Sequence, residues 1–512
     1  MHNSNLKLFS SYIACVFGSC LSLGWIFNVF NLLVDQLRCW IFFTEITTNS
    51  TYVETCENNF NASSISDDNN TISIKYTLFS TAANLGGIIG PFIFSPISDK
   101  FGRLFALKIL AFLICIGAFW MSVSWKIFSY GNIFLGRLIS GLSTGGIMTI
   151  APIYLQEIAP TSGWAQIFGV SFSLGLNFGT LMGQVFGLKE VLGGFSTWQY
   201  IFLIGAIPSA IQLLTSGYVI ESPVFDRKRN KFSSGRSLEN FELSASVSKS
   251  TITLESNKIT RKLQTPEIVI TTPNTLPLPK NPLPKDSILS SKPLKAPKIS
   301  TSSDFLDQLD HSYFETISAI IKNPKMRKKF LSASMYVVLQ NWTGIPCIYF
   351  YSHSLFSNEF KLSGQSASYA TLAVSGFTLL SILLSMFLIT RIGIKYSYII
   401  SIFGMGVCSF SIYAAGFQLS NEMLKNFSLI STILFIAFSQ IGVLPIPFML
   451  VGEWFKPSYR TKCQAIIISL AFANTTLVGN LFLWMVDKIG NYTFFVLAIN
   501  CGLGGIFALI QM

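Results

Sequence analysis

Polar and helix-breaking residues interrupt a long apolar stretch in the second half of the chain. Gln340, Thr343, Gly344 and Cys347 recur at spacings of three and four residues, which places them on one face of a helix. Pro346 lacks an N–H, so the carbonyl four residues earlier loses its usual helical partner. A weakened helix beside a polar face suits a binding site at membrane depth. Packing between helices is the alternative, because small and polar residues also mediate it.

A second polar pair lies in the first apolar stretch. Asn28 and Asn31 are three residues apart, so a regular helix would present both on one face. Their amides could add hydrogen bonds to the same cavity, or they could join neighbouring helices.

The composition indicates that these residues belong to a membrane protein. The 512 residues are 50% hydrophobic and 12% charged, with a mean hydropathy of +0.52, whereas soluble domains carry about 25% charged residues. Much of the net charge of +12 lies between Phe225 and Phe330, where 19 Lys/Arg face 10 Asp/Glu. This clustering predicts membrane topology and contact with the lipid bilayer, and no nucleic-acid surface.

Metal and enzyme chemistry are not indicated. The nine cysteines and three histidines are scattered, with no CxxC motif and no Cys/His cluster. No nucleophile–base pair and no phosphate-cradling loop is found, so we expect no metal, no cofactor and no enzyme activity. Cys39 and Cys56 both lie in the first loop, where a disulfide is possible but cannot be deduced from the sequence.

Twelve apolar segments are long enough to span a membrane, at about 20 residues each. They cover residues 9–33, 76–97, 104–124, 127–155, 165–188, 200–220, 330–356, 369–389, 397–419, 428–451, 463–486 and 492–511. We number these segments one to twelve. They predict an all-α integral membrane protein with twelve transmembrane helices in two six-helix bundles. The predicted domains are 1–224, with its first loop at 34–75, a connecting loop at 225–329, and 330–512.

Basic residues predict the orientation of these segments, because Lys and Arg mark cytoplasmic loops. They follow segments two, eight and ten, at Lys100, Arg103, Arg391, Lys395, Lys456, Arg460 and Lys462. Both termini are therefore predicted to be cytoplasmic and the first loop external. That loop carries three glycosylation sequons, at Asn49, Asn61 and Asn69.

The stretch 230–303 is rich in Ser, Thr, Pro and Lys. Such a composition cannot bury a core and predicts disorder. Regulation by phosphorylation or lipid contact is one interpretation, and a tolerated insertion in a connector is the other.

The two halves repeat a pattern of charges. Ser98 to Arg103 follow segment two and Thr390 to Lys395 follow segment eight, each with a glycine turn and a base. Glu157 and Glu453 occupy matching positions after segments four and ten. These charges are expected to pair and to close a gate between the bundles. The predicted gating charges are Asp99, Arg103, Glu157, Glu221, Arg391, Lys395, Glu453 and Arg460.

Together these motifs resemble those of the major facilitator superfamily, and within it the sugar porters, which include the facilitative glucose transporters. The resemblance is carried by residues 85–90, 99–103, 136–137, 152–160, 184–188, 221–223, 340–352, 445–447 and 453–455. It implies two bundles that rock about a central site open to one side at a time. It also implies that the amides of Gln340 and Asn341 bind the solute.

Other positions follow from the resemblance, although their residue types depart from the family pattern. The position of the usual glutamine in segment five holds Ser173, and that of the usual asparagine in segment eight holds Thr378. In segment ten, Gln440 and Phe448 replace a glutamate and a tryptophan. Segment eleven has Phe472 at its tryptophan position, with Asn474 and Thr475 nearby. With Gln340, Asn341, Asn28 and Asn31, these residues except Phe472 form the predicted binding set.

The driving force is predicted from an absence in the sequence. Proton-coupled sugar porters have an aspartate in the first helix, and the matching position here is near Ile26. No Asp or Glu lies in the middle of any of the twelve segments, so uniport is favoured over symport. We therefore expect facilitative transport of a sugar, in particular a hexose, in the plasma membrane. The alternatives are transport of a polyol or other small solute, and a non-transporting sensor that signals through the central loop.

Overall fold

The computed structural model describes residues 2–46, 69–127, 129–227, 229, 312–348, 356, 364–416 and 422–511. The first half contains α1 (His2–Ala14), α2 (Leu21–Asn28), α3 (Val34–Ile46), α4 (Asn69–Phe101), α5 (Arg103–Ile127), α6 (Tyr130–Ile158), α7 (Ser162–Phe186) and α8 (Tyr200–Thr215). The second half contains α9 (Tyr313–Lys322), α10 (Pro324–Trp342), α11 (Gly364–Ala415), α12 (Glu422–Ile441), α13 (Pro445–Trp454), α14 (Pro457–Ile489) and α15 (Tyr492–Gln511).

Several predicted features fall outside the described residues. They are the stretch 230–303 and the sequons at Asn49 and Asn61, whereas Asn69 is the first residue of α4. Cys56 also lies outside the described part of the chain. Cys39 lies inside it, in α3, and is disulfide-bonded.

Ten helical stretches in the described residues are long and apolar enough to cross a membrane. They contain eleven of the twelve predicted segments, because α11 carries segments eight and nine on either side of a kink at Gly393. Segment seven begins in α10 and then breaks at a turn. The helices therefore follow the predicted order of segments.

Each half buries a hydrophobic core of its own. The core of the first half includes Trp40, Trp198 and Phe202, and that of the second half includes Tyr398 and Phe494. Aromatic side chains bury large apolar areas, so they stabilise the packing of long helices. The two cores are the physical basis for two bundles.

Three segments are interrupted close to their middle. Segment one contains a π-helical turn (Cys15–Cys20) and a 3-10 turn (Val29–Asn31) between or after its α-helices. Segment seven breaks at Thr343 and Gly344, and segment ten breaks at residues 442–444. A break frees backbone groups, which at membrane depth are tolerated only inside protein or beside a cavity.

The most extensive contacts between the two halves lie along two helix pairs. Helix α4 packs against α14, and α7 packs against α11. We call the end of the helices where α4 meets α5 and where α14 begins the basic end, because Lys100, Arg103, Lys456 and Arg460 lie there.

Helix α9 is attached to α4 through a proline-freed carbonyl. Pro96 has no N–H for the Phe92 carbonyl. The hydroxyl of Tyr313 lies 3.3 Å from the carbonyls of both Pro91 and Phe92 and donates to them. Burial raises the pKa of Tyr313 to about 12, so the hydroxyl remains a donor at neutral pH. This contact joins the start of the second half to the first.

Candidate functional site

A cavity of about 150 Å³ lies between the two halves and is lined by both. Its lining comprises Leu23, Phe27, Asn28, Thr144, Met148, Phe172, Ser173, Leu176, Asn177, Gln340, Asn341, Ile345, Pro346, Gln440, Leu444, Phe448, Ala471, Phe472 and Thr475. Among the residues that the structure describes, this lining includes amides and hydroxyls but no acidic or basic side chain. The cavity therefore suits a neutral solute with an apolar surface and some hydrogen-bonding groups.

The break in segment seven places two amides on the cavity wall. Helix α10 ends at Trp342, and Gly344 has a φ of +87°, which residues with a Cβ rarely adopt. The Thr343 hydroxyl donates to the Gln340 carbonyl at 2.7 Å and closes this last turn. As a result, Gln340 and Asn341 stand beside the break, where the cavity lies.

Gln340 contributes a buried amide oxygen to the cavity wall. The residue is 5% exposed, and its Oε1 has no hydrogen-bond partner among the described residues. A buried polar atom without a partner costs about 1–3 kcal/mol. A solute hydroxyl that donated to this oxygen would recover that cost.

Asn341 lines the same cavity but its amide is already bonded to protein. Its Nδ2 donates to the Ala471 carbonyl at 3.1 Å, and its Oδ1 accepts from the Thr475 hydroxyl at 3.3 Å. In this structure Asn341 therefore joins segment seven to α14.

Segment ten is broken in a similar way. The Leu444 N–H donates to the Ser439 carbonyl at 2.9 Å, and Pro445 starts α13. Gln440 lies on one side of this break and Phe448 on the other, and both line the cavity.

The first half contributes Asn28 and Ser173 to the lining. Asn28 Nδ2 donates to the Thr180 hydroxyl at 2.8 Å and to the Gly24 carbonyl at 3.2 Å. Its amide nitrogen thus joins segment one to α7, with its side chain at the cavity.

Three members of the predicted binding set do not line the cavity. Asn31 is buried in the 3-10 turn that follows α2. The prediction assumed a regular helix from Asn28 to Asn31, and this turn ends the α-helix before Asn31. The Thr378 hydroxyl donates to its own helix at the Ser375 carbonyl. Asn474 accepts from Trp342 Nε1 at 3.4 Å and donates to the Leu470 carbonyl. Local hydrogen bonds hold Thr378 and Asn474 outside the lining.

Asn177 also lines the cavity, although solute contact was not predicted for it from the sequence. It lies four residues after Ser173, one helical turn further along α7. Its amide and that of Gln440 exchange two hydrogen bonds, of 3.2 and 3.1 Å. The helical spacing from Ser173 was the signal that could have revealed it.

Arg137 is a buried cation bound to the backbone of segment one, which has no acidic residue in its middle. It is 4% exposed and donates to the Ile26 and Phe27 carbonyls at 2.9 and 3.2 Å. Its guanidinium carbon lies 4.1 Å from the centre of the Phe30 ring, a distance at which cations bind aromatic faces. Arg137 forms no ion pair with any described carboxylate. The groups that these contacts place around the cation are backbone carbonyls and aromatic rings.

Charged residues at the basic end form a buried network that joins the two halves. Arg103 pairs with Asp99 at 2.7 Å and with Glu157 at 3.4 Å. From the second half, Lys462 pairs with Asp99 at 2.8 Å and Arg460 with Glu157 at 3.5 Å. The Asp99 and Glu157 side chains are only 6% and 1% exposed, so these pairs are weakly screened by solvent. The network therefore joins the two halves at the basic end.

Hydroxyl groups complete this network. Thr461 donates to Asp99 Oδ1 at 2.6 Å, and Ser222 donates to Glu157 Oε2 at 2.5 Å. The sequence did not predict that Thr461, Ser222 and Lys462 bind these carboxylates, because their partners come from distant helices.

Glu221 caps a helix beside the network. Its carboxylate accepts from the backbone N–H groups of Arg103 and Leu104 at 2.9 and 3.1 Å. These are the first residues of α5, where a negative charge is favoured by the helix dipole. The preceding turn is made by Gly102, whose φ is +110°.

The remaining predicted gating charges are not brought together. Arg391 lies over the Phe387 ring, 5.4 Å from its centre. Lys395 Nζ donates to the Leu509 carbonyl at 3.5 Å. Neither residue nor Glu453 forms an ion pair with a described residue.

The opposite end is also bridged between the halves. Gln365 Nε2 donates to Glu190 Oε1 at 2.7 Å, and the Ser375 hydroxyl donates to Gln184 Oε1 at 2.5 Å. Hydrogen bonds to its own backbone and to Gln365 lower the pKa of Glu190. Contacts between the halves therefore lie on both sides of the cavity.

The chain matches a protein-family model and many known proteins. The family model, described as "Sugar (and other) transporter", matches residues 11–264 and 288–512. Facilitated glucose transporter member 2 of Bos taurus is 26% identical over 435 residues, which cover 84% of this chain and 74% of the relative. Facilitated glucose transporter member 3 of Ovis aries is 26% identical over 431 residues, with 83% and 76% covered.

Solved structures match over nearly the whole chain. The proton:xylose symporter XylE bound to 6-bromo-6-deoxy-D-glucose matches with a TM-score of 0.67 and 18% identity, covering 99% of this chain and 96% of that one. The partially occluded inward open form of XylE from E. coli gives 0.63 and 15%, covering 98% and 99%. These matches confirm the predicted major facilitator fold with twelve transmembrane helices in two bundles.

Proposed function

The chain belongs to the sugar transporter family, and from that membership we propose that it carries a hexose across a membrane by uniport with alternating access. Its relatives are transporters, which confirms that it is a multi-pass membrane protein and not an enzyme. The single observation that best supports this proposal is the neutral cavity between the halves, with the unsatisfied Gln340 oxygen in its wall.

The contacts between the halves support alternating access. The charge network closes the basic end with pairs that cross from one half to the other. Release of these pairs would open the cavity to the basic end, while the bonds of Gln365 and Gln184 hold the opposite end. A carrier that opens to one side at a time needs two such sets of contacts.

The surroundings of the cavity support uniport. Coupling to protons needs a titratable group that faces the cavity, and the described lining has no carboxylate or histidine. Arg137 is held by carbonyls and aromatic rings and forms no ion pair with a described carboxylate. Solute would then move down its own gradient.

We assign solute contact to Gln340 first, and to Ser173, Asn28, Gln440, Phe448, Asn341 and Thr475 as further members of the lining. The basic end is assigned to the cytoplasm by its Lys and Arg residues. This orientation places both termini inside and the sequons at Asn49, Asn61 and Asn69 outside, where glycosylation of a plasma-membrane protein occurs.

A polyol or another small solute is the second candidate. Four phenylalanines, Phe27, Phe172, Phe448 and Phe472, line the cavity, and the amides of Asn28 and Asn341 are bonded to protein. Such a lining also suits a solute with fewer hydroxyls than a hexose or with a larger apolar face.

Uptake into proteoliposomes tests these proposals. Radiolabelled D-glucose, D-fructose and myo-inositol are supplied with and without a pH gradient. We expect saturable uptake of a hexose that is indifferent to the gradient. Accumulation driven by the gradient would contradict uniport, and saturable uptake of inositol alone would favour the second candidate. Absence of uptake for all three would overturn transport and favour a sensor.

Gln340→Ala tests the site itself. Loss of one hydrogen bond to the solute should raise the KM about tenfold, equivalent to about 1.4 kcal/mol, with unchanged surface expression. Gln199→Ala is the matched control, because Gln199 also has a buried Oε1 without a described partner but lies off the cavity, where its Nε2 donates to the Ser196 carbonyl. An equal effect of both variants would assign Gln340 to packing.

A further inference from the structure

Two amides from opposite halves meet in the wall of the cavity. Asn177 on α7 and Gln440 on α12 are 1% and 2% exposed. Asn177 Nδ2 donates to Gln440 Oε1 at 3.2 Å, and Gln440 Nε2 donates to Asn177 Oδ1 at 3.1 Å. Each amide is thus satisfied by the other, and the bonds cross from one half to the other.

The orientation of the Asn177 amide is held from its own helix. Its Nδ2 also donates to the Ser173 carbonyl, one turn back, at 2.8 Å. This bond directs the nitrogen and leaves Oδ1 toward the Gln440 amide. A donor and an acceptor are therefore presented side by side at a fixed place in the wall.

A hydroxyl group matches such a pair chemically. An O–H donates one hydrogen bond and accepts others, so it can accept from one amide nitrogen while it donates to the other amide oxygen. After the exchange, Asn177 Nδ2 keeps the Ser173 carbonyl, Asn177 Oδ1 accepts from the hydroxyl and Gln440 Nε2 donates to it. Two new bonds thus replace two old ones, and Gln440 Oε1 is left to accept from a further group of the solute, so the cost of exchange is low. An apolar group that separated the two amides would remove both bonds between them and replace neither.

We propose that Asn177 and Gln440 form a bridge that one hydroxyl of the solute displaces, and that Asn177 is thereby a residue that determines specificity. The inference rests on the proposed function and adds a rule for recognition: the solute needs a hydroxyl at the position that meets the bridge. Binding of the solute also removes a direct bond between the halves at the cavity, which links recognition to their separation.

A purely structural strut is the alternative, and the chain offers a matched example of one. Gln184 lies on the same helix and is bonded to Ser375 across the halves, but neither residue lines the cavity. A strut should affect the movement of the halves equally for every solute. A recognition pair should affect solutes according to their hydroxyls.

The test compares Asn177→Leu, Gln440→Met, the double variant and Gln184→Leu with the wild type in proteoliposomes. D-glucose and a series of its monodeoxy analogues are the probes. In the wild type, removal of one particular hydroxyl should raise the KM about tenfold. In the double variant, where neither amide is left unpaired, D-glucose should show the same tenfold rise, and that deoxy analogue should no longer be disfavoured.

Gln184→Leu should change the rate for all probes alike and leave the discrimination between them intact. If the double variant discriminates between the analogues as the wild type does, the bridge is a strut and the inference is overturned. That result would leave the proposed function in place, because wild-type uptake is measured in the same assay. A wild type that moves no sugar would refute both.

Discussion

The charged loop of the first half forms a network, whereas the matching loop of the second half does not. In the first, Asp99, Arg103 and Glu157 are buried and joined by ion pairs of 2.7–3.4 Å. In the second, Arg391 is exposed beside an aromatic ring and Lys395 caps a backbone carbonyl. The two loops therefore have similar compositions but make different contacts.

Alignment of the two loops on their glycines explains the difference. Gly102 then matches Gly393, so that Asp99 corresponds to Thr390 and Arg103 to Ile394. The second loop thus lacks both the acid and the base that pair across the glycine turn in the first. Its own bases, Arg391 and Lys395, stand one residue away from the matching positions.

The network is completed by bases from the second half at another place. Lys462 and Arg460, at the start of α14, supply the cations that Asp99 and Glu157 accept. The ion pairs of the described residues therefore form a single asymmetric cluster across the halves and not two equivalent clusters. We expect the effects of substitution to follow this asymmetry.

The largest effect is expected for Asp99→Leu. Removal of this carboxylate leaves Arg103 and Lys462 buried without one of their partners, and breaking a buried pair in this way costs about 3–5 kcal/mol. The free energy of unfolding should fall accordingly, measured by tryptophan fluorescence of detergent-solubilised protein. Asp487→Asn is the control, since the Asp487 side chain is 73% exposed; a similar loss in both would refute a special role for the network.

A smaller effect is expected for Lys462→Met, because Asp99 keeps Arg103 and Thr461 as partners. Loss of one charged hydrogen bond between the halves should cost about 2 kcal/mol and increase opening at the basic end. Labelling of Met148→Cys in the cavity by an impermeant maleimide, added from the basic end, measures this opening. Unchanged labelling would show that Lys462 does not hold the halves together.

Transfer of the first pattern to the second loop should give a still smaller gain. Thr390→Asp with Ile394→Arg places an acid and a base on either side of the Gly393 kink, and a surface pair of this kind contributes about 0.2–1 kcal/mol. Thermal unfolding of the double variant, compared with each single variant, measures the coupling energy. A coupling of several kcal/mol would mean that the second loop is a buried gate as well.

The smallest effect is expected when the bases of the second loop are removed. Arg391→Ala and Lys395→Ala should each change the unfolding free energy by less than about 0.5 kcal/mol, because neither has a described carboxylate partner. Uptake rates should also stay close to wild type. A loss as large as that of Asp99→Leu would restore the symmetric gate predicted from the repeat.

The sequence predicted the order of the helices well and the roles of single residues less completely. Apolar length predicted the segments, and the Thr343–Pro346 motif predicted a weakened helix where α10 ends. The resemblance to the sugar porters predicted solute contact for Asn341 and Asn474, and in the structure these amides form hydrogen bonds with the Ala471 carbonyl and with Trp342 Nε1. Asn177 was missed because its importance depends on Gln440, which lies 263 residues away.

What the sequence determined by itself is therefore local: which stretches are helical and apolar enough to span a membrane, and where glycine and proline interrupt them. These properties depend on the backbone and on transfer of side chains from water, both of which act over a few residues. Only the tertiary structure decided which amides line the cavity and which charges form ion pairs between the halves. A hydrogen bond or an ion pair requires its two partners to come within about 3–4 Å, and for Gln340, Asn177 and Asp99 that depends on helices from both halves of the chain.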